Sequence, residues 1–305
     1  MISMNQYQFG SANDPRLSSF LTQDSNEATL HIWGYPDDEG IRLNGGRPGA
    51  AQGPDQIRAC FYKMTPPLTS KKGPLIWDGG NLDLSLALKT RHEKAQSQAL
   101  QSYRDKKIVI TLGGGHDYGY PDAAAFVRAF KNSKKKPVVI NFDAHLDVRP
   151  LDHGLTSGTP FFRLLSEFAK EIHFFEVGIQ NHCNAKNHLA WAIKQNAVII
   201  EQEKIFQKSL YQCLLPKLLK FKGHPTFLSV DIDGFTSSEA PGCSQSWPVG
   251  FTTQDFLKTL KVIFQKLDVK GLGIYEVSPP LDVGNLTSRL AALIVYNSLQ
   301  NKGVL

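Results

Sequence analysis

Three side chains that can bind metals, Asp143, His145 and Asp147, follow an apolar run in the pattern D-x-H-x-D. The run, at 137–140, predicts a buried strand because β-branched residues fill it. Side chains alternate along an extended chain, so these three residues can converge just beyond the strand. Two carboxylates and an imidazole rarely end a buried strand unless something cationic neutralises them. Taken alone, the pattern could also be chance or a capped turn.

Two further segments have the same form. His116 follows the apolar run at 108–110, and Asp231 and Asp233 follow the run at 227–230. Four carboxylates and two imidazoles therefore lie at the ends of three predicted strands. This set of donors suits two divalent cations and, because it lacks a thiolate, argues against a structural zinc site. We expect two Mn²⁺ per chain, although a site with imidazole ligands would also accept zinc, cobalt or nickel.

Strand and helix patterns alternate along the chain. Eight short apolar runs predict strands, at 28–34, 74–77, 107–112, 137–142, 172–177, 197–200, 226–230 and 271–277. Helical patterns separate most of them, and the longest lie at 88–105, 254–266 and 288–299. The alternation is typical of an α/β fold with a mainly parallel, eight-stranded sheet and helices on both faces. All six candidate ligands then lie at carboxyl ends of strands, where open α/β sheets bind ligands.

Length and composition limit the class of protein. The 305 residues are 41% hydrophobic and 20% charged, without a long linker, so we predict a single domain over 1–305. We find no secretory signal pattern and no apolar run near the ~20 residues of a membrane span. The cysteines Cys60, Cys183, Cys213 and Cys243 show no C-x-x-C spacing, which indicates free thiols in a cytoplasmic protein. The net charge of +6 is scattered, so we expect no nucleic-acid partner.

The motifs together resemble those of the ureohydrolases, the arginase and agmatinase superfamily, over nearly the whole chain. The matching segments are G-G-G-H-D at 113–117, D-A-H-L-D at 143–147, S-V-D-I-D at 229–233 and Glu276 in Y-E-V-S-P at 275–279. The resemblance implies one arginase-like domain with a three-layer αβα architecture. It also implies two manganese ions that share one water and lower its pKa enough to give hydroxide near neutral pH.

The resemblance assigns each ligand to a metal. Two aspartates would bridge the ions, and one histidine and one further aspartate would complete each shell: Asp143 and Asp231 bridging, His116 and Asp147 on one ion, His145 and Asp233 on the other. This assignment is a prediction about metal binding.

Two of these ligands, together with Glu276, are also candidates for catalysis, by the same resemblance. Asp233 would orient the attacking hydroxide or carry a proton, and we count His145 with it. Glu276 would accept hydrogen bonds from the cationic N–C–N group of the substrate, because a carboxylate and an amidinium form charge-assisted bonds. An ordinary salt bridge at the end of a strand is the simpler alternative for Glu276.

Two departures from the arginase pattern bear on the substrate. In T-S-G-T-P at 156–160, Ser157 occupies the place where arginases and agmatinases usually carry a proton-shuttle histidine. Arg149 follows the last residue of D-A-H-L-D by two positions, where it could bind a substrate carboxylate or form a structural ion pair with Asp152 or Glu167. His153 could replace the missing shuttle or could be a surface histidine.

These departures, with the glycine-rich motif and the R-P-G-A segment at 47–50, resemble the formimidoylglutamase branch of the superfamily, which acts in histidine degradation. We therefore predict a manganese-dependent hydrolase that converts N-formimidoyl-L-glutamate and water to L-glutamate and formamide. Both carboxylates of this anionic amidine would have a partner in Arg149 and Arg47. Ser157 and Asn44 complete the predicted substrate-binding set, although the loop at 38–50 could equally be a solvated connection.

Other functions compatible with the sequence are an agmatinase or guanidino-acid hydrolase that releases urea, and a non-catalytic metal-binding protein of the same fold. A metal-dependent deacylase fits less well, because such enzymes use a smaller ligand set. We expect a cytoplasmic homo-oligomer that acts on a small molecule and does not bind a membrane.

Overall fold

The computed structural model of the protein describes residues 7–11, 13–68 and 75–305. Eight strands lie within this part of the chain: β1 (Leu30–Gly34), β2 (Ile76–Asn81), β3 (Ile108–Leu112), β4 (Val138–Phe142), β5 (His173–Ile179), β6 (Val198–Glu201), β7 (Pro225–Asp231) and β8 (Asp268–Tyr275). They form one sheet in the order β2-β1-β3-β8-β7-β4-β5-β6. Every neighbouring pair is parallel. The eight predicted strands are confirmed, except that residue 74, where we began the second, lies outside the described residues.

The helices of the described chain connect these strands: α1 (Glu39–Leu43), α2 (Gly53–Phe61), α3 (Leu88–Arg104), α4 (Gly119–Phe130), α5 (Pro160–Phe168), α6 (Lys186–Lys194), α7 (Gln202–Gln207), α8 (Leu210–Leu218), α9 (Thr253–Lys266) and α10 (Leu286–Lys302). The three longest patterns predicted from sequence correspond to α3, α9 and α10. The sequence did not indicate α1 and α7, because five or six residues are too few to show a helical period. α1 lies inside the loop at 38–50.

The sheet is the middle of three layers. α2, α8, α9 and α10 pack on one face, and α3, α4 and α5 pack on the other. Side chains alternate between the two faces, as expected for strands that are buried on both sides. Ile140 of β4, for example, belongs to the first core, whereas its neighbour Val139 belongs to the second. The three-layer αβα fold predicted from the sequence is confirmed. Within the described residues, no helix is long and apolar enough to cross a membrane.

Four strands in the centre of the sheet precede the motifs that supply the six predicted metal ligands and Glu276. In the sheet their order is β3, β8, β7 and β4, although β8 is the last strand of the chain. Because all four are parallel, their carboxyl ends meet at one edge, and the segments that follow them converge there. Just below this edge, five residues on neighbouring strands lie side by side as direct cross-strand partners: Glu176, Asn141, Ser229, Gly273 and Thr111.

Candidate metal centre

The six predicted ligands come together at the carboxyl edge of the central strands. Their donor atoms form two groups, each within a span suited to one ion: His116, Asp143, Asp147 and Asp231 in the first, and Asp143, His145 and Asp233 in the second. Asp143 belongs to both groups, as expected for a bridging ligand. Asp231 belongs to the first group alone, so its bridging role stays a prediction.

The chain turns between these ligands, whereas the sequence suggested an extended segment with alternating side chains. After β4, one carboxylate oxygen of Asp143 accepts a hydrogen bond from the backbone N–H of His145 at 2.7 Å. After β7, Asp231 accepts in the same way from the N–H of Asp233 at 2.9 Å. Residues two apart therefore converge because each leading aspartate closes a tight turn. Asp147 has a φ of 47°, in the left-handed region.

His116 presents one ring nitrogen to the carboxylates. Its other nitrogen, Nε2, lies 2.8 Å from the hydroxyl of Ser229, and its ring stacks on Tyr275 with the centroids 4.8 Å apart. Nδ1 lies 3.0–3.1 Å from carboxylate oxygens of three aspartates: Asp143, Asp147 and Asp231. Although it is buried, Nδ1 has no hydrogen-bond partner. A buried nitrogen that faces three carboxylate oxygens without bonding to any of them fits a metal ligand.

His145 and Asp233 face each other at the second group. His145 Nδ1 lies 3.0 Å from an oxygen of Asp233 and 3.5 Å from an oxygen of Asp143. The other oxygen of Asp233, Oδ1, is buried and has no partner. This orphan acceptor, like Nδ1 of His116, suits a divalent cation or a water held by one. The oxygen-rich set of donors fits Mn²⁺.

The carboxylates of the two donor groups shift the pKa values of one another. Burial, followed by the charge of Asp143, raises the pKa of Asp147 to about 6. Burial and the charges of neighbouring aspartates also raise the pKa of Asp231 well above its usual value. Burial acts in the same direction on Asp143, but its contacts with His116 and His145 outweigh it and lower its pKa. Clusters whose pKa values diverge in this way are typical of functional sites.

Glu276 follows β8 and faces the same edge. Its φ of 66° also lies in the left-handed region, which non-glycine residues rarely adopt. One carboxylate oxygen accepts a hydrogen bond from the backbone N–H of His116 at 3.0 Å. No salt bridge to Glu276 forms among the described residues, so the alternative of a structural ion pair has no support. Burial, and then the charge of Asp233, raise its pKa despite the bond from His116.

A cavity of about 230 Å³ opens onto the two donor groups. His145, Asp147, Asp231, Asp233 and Glu276 line its base. Other polar side chains form its walls: Asn44, Arg149, Ser157, Ser244, Gln245 and Trp247, together with the thiol of Cys183. The structure thus brings three of the four predicted substrate-binding residues to the cavity.

These three residues form a chain of hydrogen bonds along one wall. The guanidinium of Arg149 donates to the side-chain oxygen of Asn44 at 2.8 Å, and the amide of Asn44 donates to the hydroxyl of Ser157 at 3.1 Å. Among the described residues Arg149 has no ion pair with Asp152 or Glu167, so the structural alternative for it is not observed. Its remaining N–H groups are available to a ligand.

Arg47 is not among the residues that line the cavity. Its guanidinium donates to the backbone carbonyls of Ser244 at 2.9 Å and Cys243 at 3.0 Å. The backbone N–H of Arg47 donates to the hydroxyl of Ser244. Three of its donors therefore hold the segment that supplies Ser244 and Gln245 to the cavity. His153 is exposed and also lies outside the cavity lining.

The sequence did not point to several residues of the cavity wall. Ser244, Gln245 and Trp247 lie in a segment between β7 and α9 that has no helical or strand pattern, so only the structure could place them. Cys183 follows β5, and its position after a predicted strand was the one available signal. All four cysteines are free thiols, as predicted.

The fold and the motifs match known proteins over most of the chain. A sequence model of the arginase family matches residues 28–300. The chain is 32% identical to formimidoylglutamase of Bacillus subtilis (strain 168), over 93% of this chain and 94% of that protein. It is 30% identical to formimidoylglutamase of Clostridium tetani (strain Massachusetts / E88), over 87% and 80%. The crystal structure of Trypanosoma cruzi formiminoglutamase with Mn²⁺ superposes with a TM-score of 0.84 at 29% identity, covering 94% of this chain and 98% of that one.

Proposed function

Because this chain belongs to the arginase family, we propose that it is a metal-dependent hydrolase of linear amidines, with N-formimidoyl-L-glutamate as its substrate. Hydrolysis would break the bond between the formimidoyl carbon and the glutamate nitrogen and release formamide and L-glutamate. The observation that carries the proposal is the guanidinium of Arg149 in a cavity that is also lined by Glu276 and by four of the six metal-type donor residues. The names of the relatives at about 30% identity support the same reaction.

The donor set supports two Mn²⁺ per chain. His116, Asp143, Asp147 and Asp231 would hold one ion, and Asp143, His145 and Asp233 the other. The T. cruzi relative, which was crystallised with Mn²⁺, supports the choice of metal. When bound, such ions supply Lewis acidity that lowers the pKa of a water and makes it nucleophilic near neutral pH.

The protein's own side chains would place the nucleophile and the amidine. The unpartnered Oδ1 of Asp233 can accept a proton from the attacking water, because it is buried and faces the second donor group. Glu276, which the N–H of His116 holds in place, can accept hydrogen bonds from the amidine nitrogens. The amidine carbon would then lie between these two carboxylates at the base of the cavity.

The leaving glutamate nitrogen requires a proton as its bond to carbon breaks. Ser157, at the place of the family's shuttle histidine, has a neutral hydroxyl that does not titrate near neutral pH. We assign the transfer to Asp233, which would return the proton that it took from the water. His145, whose Nδ1 lies 3.0 Å from Asp233, would hold the second ion together with it.

Arg149 would bind a carboxylate of the substrate. A guanidinium matches a carboxylate with two parallel N–H bonds, and Asn44 already holds one end of this fork in place. Two N–H groups of the Arg47 guanidinium donate to backbone carbonyls, and Arg47 does not line the cavity, so its role towards the second carboxylate stays a prediction. Ser244, Gln245 and Trp247, which do line the cavity, offer neutral donors for this carboxylate.

A substrate panel tests this function. The protein loaded with Mn²⁺ should release formamide from N-formimidoyl-L-glutamate and release little urea from agmatine, whose distal ammonium would face Arg149. Urea release from agmatine or a guanidino acid at a comparable kcat/KM would make the protein a urea-releasing ureohydrolase. Two bound ions without turnover of any substrate would leave it a non-catalytic metal-binding protein.

We also propose that the enzyme is a cytoplasmic homo-oligomer without a nucleic-acid partner, which the scattered charge and the free cysteines support. Light scattering of the purified protein at a known concentration measures the number of chains.

A further inference from the structure

Glu176 is a buried acid with no part in the proposed reaction. It lies on β5, in direct register with Asn141 of β4, and both residues are fully buried. Its Oε2 accepts a hydrogen bond from the side-chain amide of Asn141 at 2.9 Å, and its Oε1 has no partner. No described cation forms an ion pair with it. A carboxyl group is costly to bury, so its place beside the metal centre calls for a physical reason.

Asn141 connects this acid to the centre. Its amide nitrogen, which donates to Glu176, also donates to Oδ2 of Asp143 at 3.2 Å. The other oxygen of Asp143 accepts from the N–H of His145. Both oxygens of Asp143 are therefore held by donors of the protein. Asp143 is the residue common to the two donor groups, so its orientation affects both.

We propose that Glu176 is a positioning residue of the metal centre. It fixes the side-chain amide of Asn141 so that one N–H of this amide faces Asp143. An amide has two different ends, and a flip of Asn141 would turn its oxygen towards the carboxylates of Asp143 and Glu176. Glu176 accepts one of the two N–H bonds and leaves the other for Asp143. This inference rests on the proposed role of Asp143 as a metal ligand.

The surroundings of Glu176 favour this role over that of a general source of negative charge. Burial, followed by the charges of Asp143 and Asp147, raises its pKa well above the usual value despite the bond from Asn141. A neutral carboxyl group keeps an oxygen that accepts from Asn141 but adds no charge. Asp122, another buried acid, differs because its oxygens accept from three hydroxyls, those of Tyr35, Thr111 and Tyr275.

The test compares Mn²⁺ binding by four variants of the full chain: Glu176→Gln, Glu176→Leu, Asn141→Leu and the double Glu176→Leu/Asn141→Leu. Affinity and stoichiometry would be measured by titration calorimetry of the protein stripped of metal. Loss of an outer partner of a metal ligand typically weakens metal binding about 10- to 100-fold. We expect this loss in Glu176→Leu, and near wild-type affinity in Glu176→Gln, whose side chain keeps an acceptor oxygen for Asn141.

The double variant distinguishes a direct from an indirect effect. If Glu176 acts through Asn141, the double variant should bind Mn²⁺ no more weakly than Asn141→Leu alone. Additive losses would overturn the proposal, as would an equal loss in Glu176→Gln and Glu176→Leu, which would indicate that charge matters and orientation does not. Wild-type affinity in Glu176→Leu would also overturn it.

Two controls separate this result from other failures. Thr226→Val removes a buried hydroxyl of β7 far from the carboxyl edge, and it should leave Mn²⁺ affinity unchanged. If Glu176→Leu does not fold by circular dichroism, Glu176→Met replaces it with an unbranched apolar chain. Absence of Mn²⁺ binding by the wild type would contradict the proposed function itself, whereas two ions in the wild type and in Glu176→Leu at equal affinity would contradict this inference alone.

Discussion

Two clusters of buried charge can be compared, one at the outermost strand β2 and one at the carboxyl ends of the central strands. At β2, the guanidinium of Arg58 forms a two-pronged ion pair with Asp78, which we call the edge pair. The N–H of Gly80 and the hydroxyl of Tyr62 provide the remaining bonds to this carboxylate. At the centre, four aspartates share two histidines, and atoms of His116 and Asp233 have no partner. We call these six residues the central cluster.

The difference lies in the source of the neutralising charge. The edge pair is neutral and fully bonded within the protein, as buried ion pairs must be if they are not to destabilise the fold. The central cluster has an excess of carboxylates and orphan atoms that face a cavity. Burial of charge alone therefore does not identify a functional site. The informative feature is an acid cluster whose neutralising cation the chain itself does not supply.

Among the substitutions that test this difference, those of Asp143 should have the largest effect on metal binding and on kcat/KM. Asp143→Asn removes the one charge that belongs to both donor groups, so we expect loss of both ions and a fall in kcat/KM of more than about a thousandfold, or about 4 kcal/mol. His116→Ala, which alters one group only, should retain more metal. Metal per chain, measured by elemental analysis, ranks the two variants. Equal metal loss would remove the distinction between shared and single ligands.

Substitutions in the edge pair should lower the free energy of unfolding and leave the metal content unchanged. Arg58→Met leaves Asp78 buried without its cation, and breaking such a pair typically costs about 3–5 kcal/mol. Chemical denaturation measures the loss, and Mn²⁺ stoichiometry of the folded protein should stay at its wild-type value. The double variant Arg58→Met/Asp78→Leu should recover much of the stability, because no unpaired charge remains. A changed metal content would show that the two clusters are coupled.

Arg149 provides a second arginine environment to set beside that of Arg58, because its guanidinium has no acid partner among the described residues. If it binds a substrate carboxylate, Arg149→Ala should lower kcat/KM on N-formimidoyl-L-glutamate about 10- to 100-fold, or about 1.5–3 kcal/mol. Arg149→Lys should recover only part, since an ammonium cannot form the fork. Metal content and stability should not change. An unaffected kcat/KM in the alanine variant would assign the carboxylate to other lining residues, such as Ser244, Gln245 and Trp247.

The smallest effect should be a pH dependence confined to the central cluster. The pKa of Asp147 is raised to about 6 in the metal-free protein, so a proton competes with Mn²⁺ as the pH falls through 6. We expect the Mn²⁺ affinity to fall by up to about tenfold per pH unit there. The stability of the metal-free protein should change with pH in the opposite sense. The folded state holds this proton more tightly than the unfolded chain does, so the free energy of unfolding falls as the pH rises towards 6. A flat Mn²⁺ affinity between pH 5 and 7 would contradict this.

Local sequence patterns were sufficient for the strands and for the ligands that follow them. Apolar runs of four to seven residues marked all eight strands, and parallel strands place their carboxyl ends at one edge whatever their order. The order itself depends on contacts between distant segments, so the sequence did not show that the four motif-bearing strands are neighbours. The roles of the individual site residues stay predictions until variants are measured.

Arg47 shows why the sequence could predict only part of the cavity wall. Its charge and its glycine-rich loop suggested a second carboxylate ligand. Its donors instead bond to the carbonyls of Cys243 and Ser244, nearly two hundred residues further along the chain. A short motif cannot show whether a guanidinium will face solvent, substrate or backbone, because that depends on a segment without a regular pattern.

The position of β8 has a consequence for how the protein is made. β8 is the last strand of the chain, yet it lies between β3 and β7 and joins two smaller sheets, β2-β1-β3 and β7-β4-β5-β6. Asp143, His145 and Asp233 all come from the second of these, whereas the other donor group needs His116 from the first. On the ribosome, all residues of the three-residue group have been synthesised once β7 and Asp233 have emerged. The group that contains His116 also needs β8, which joins the two smaller sheets, so we expect this group to be completed last.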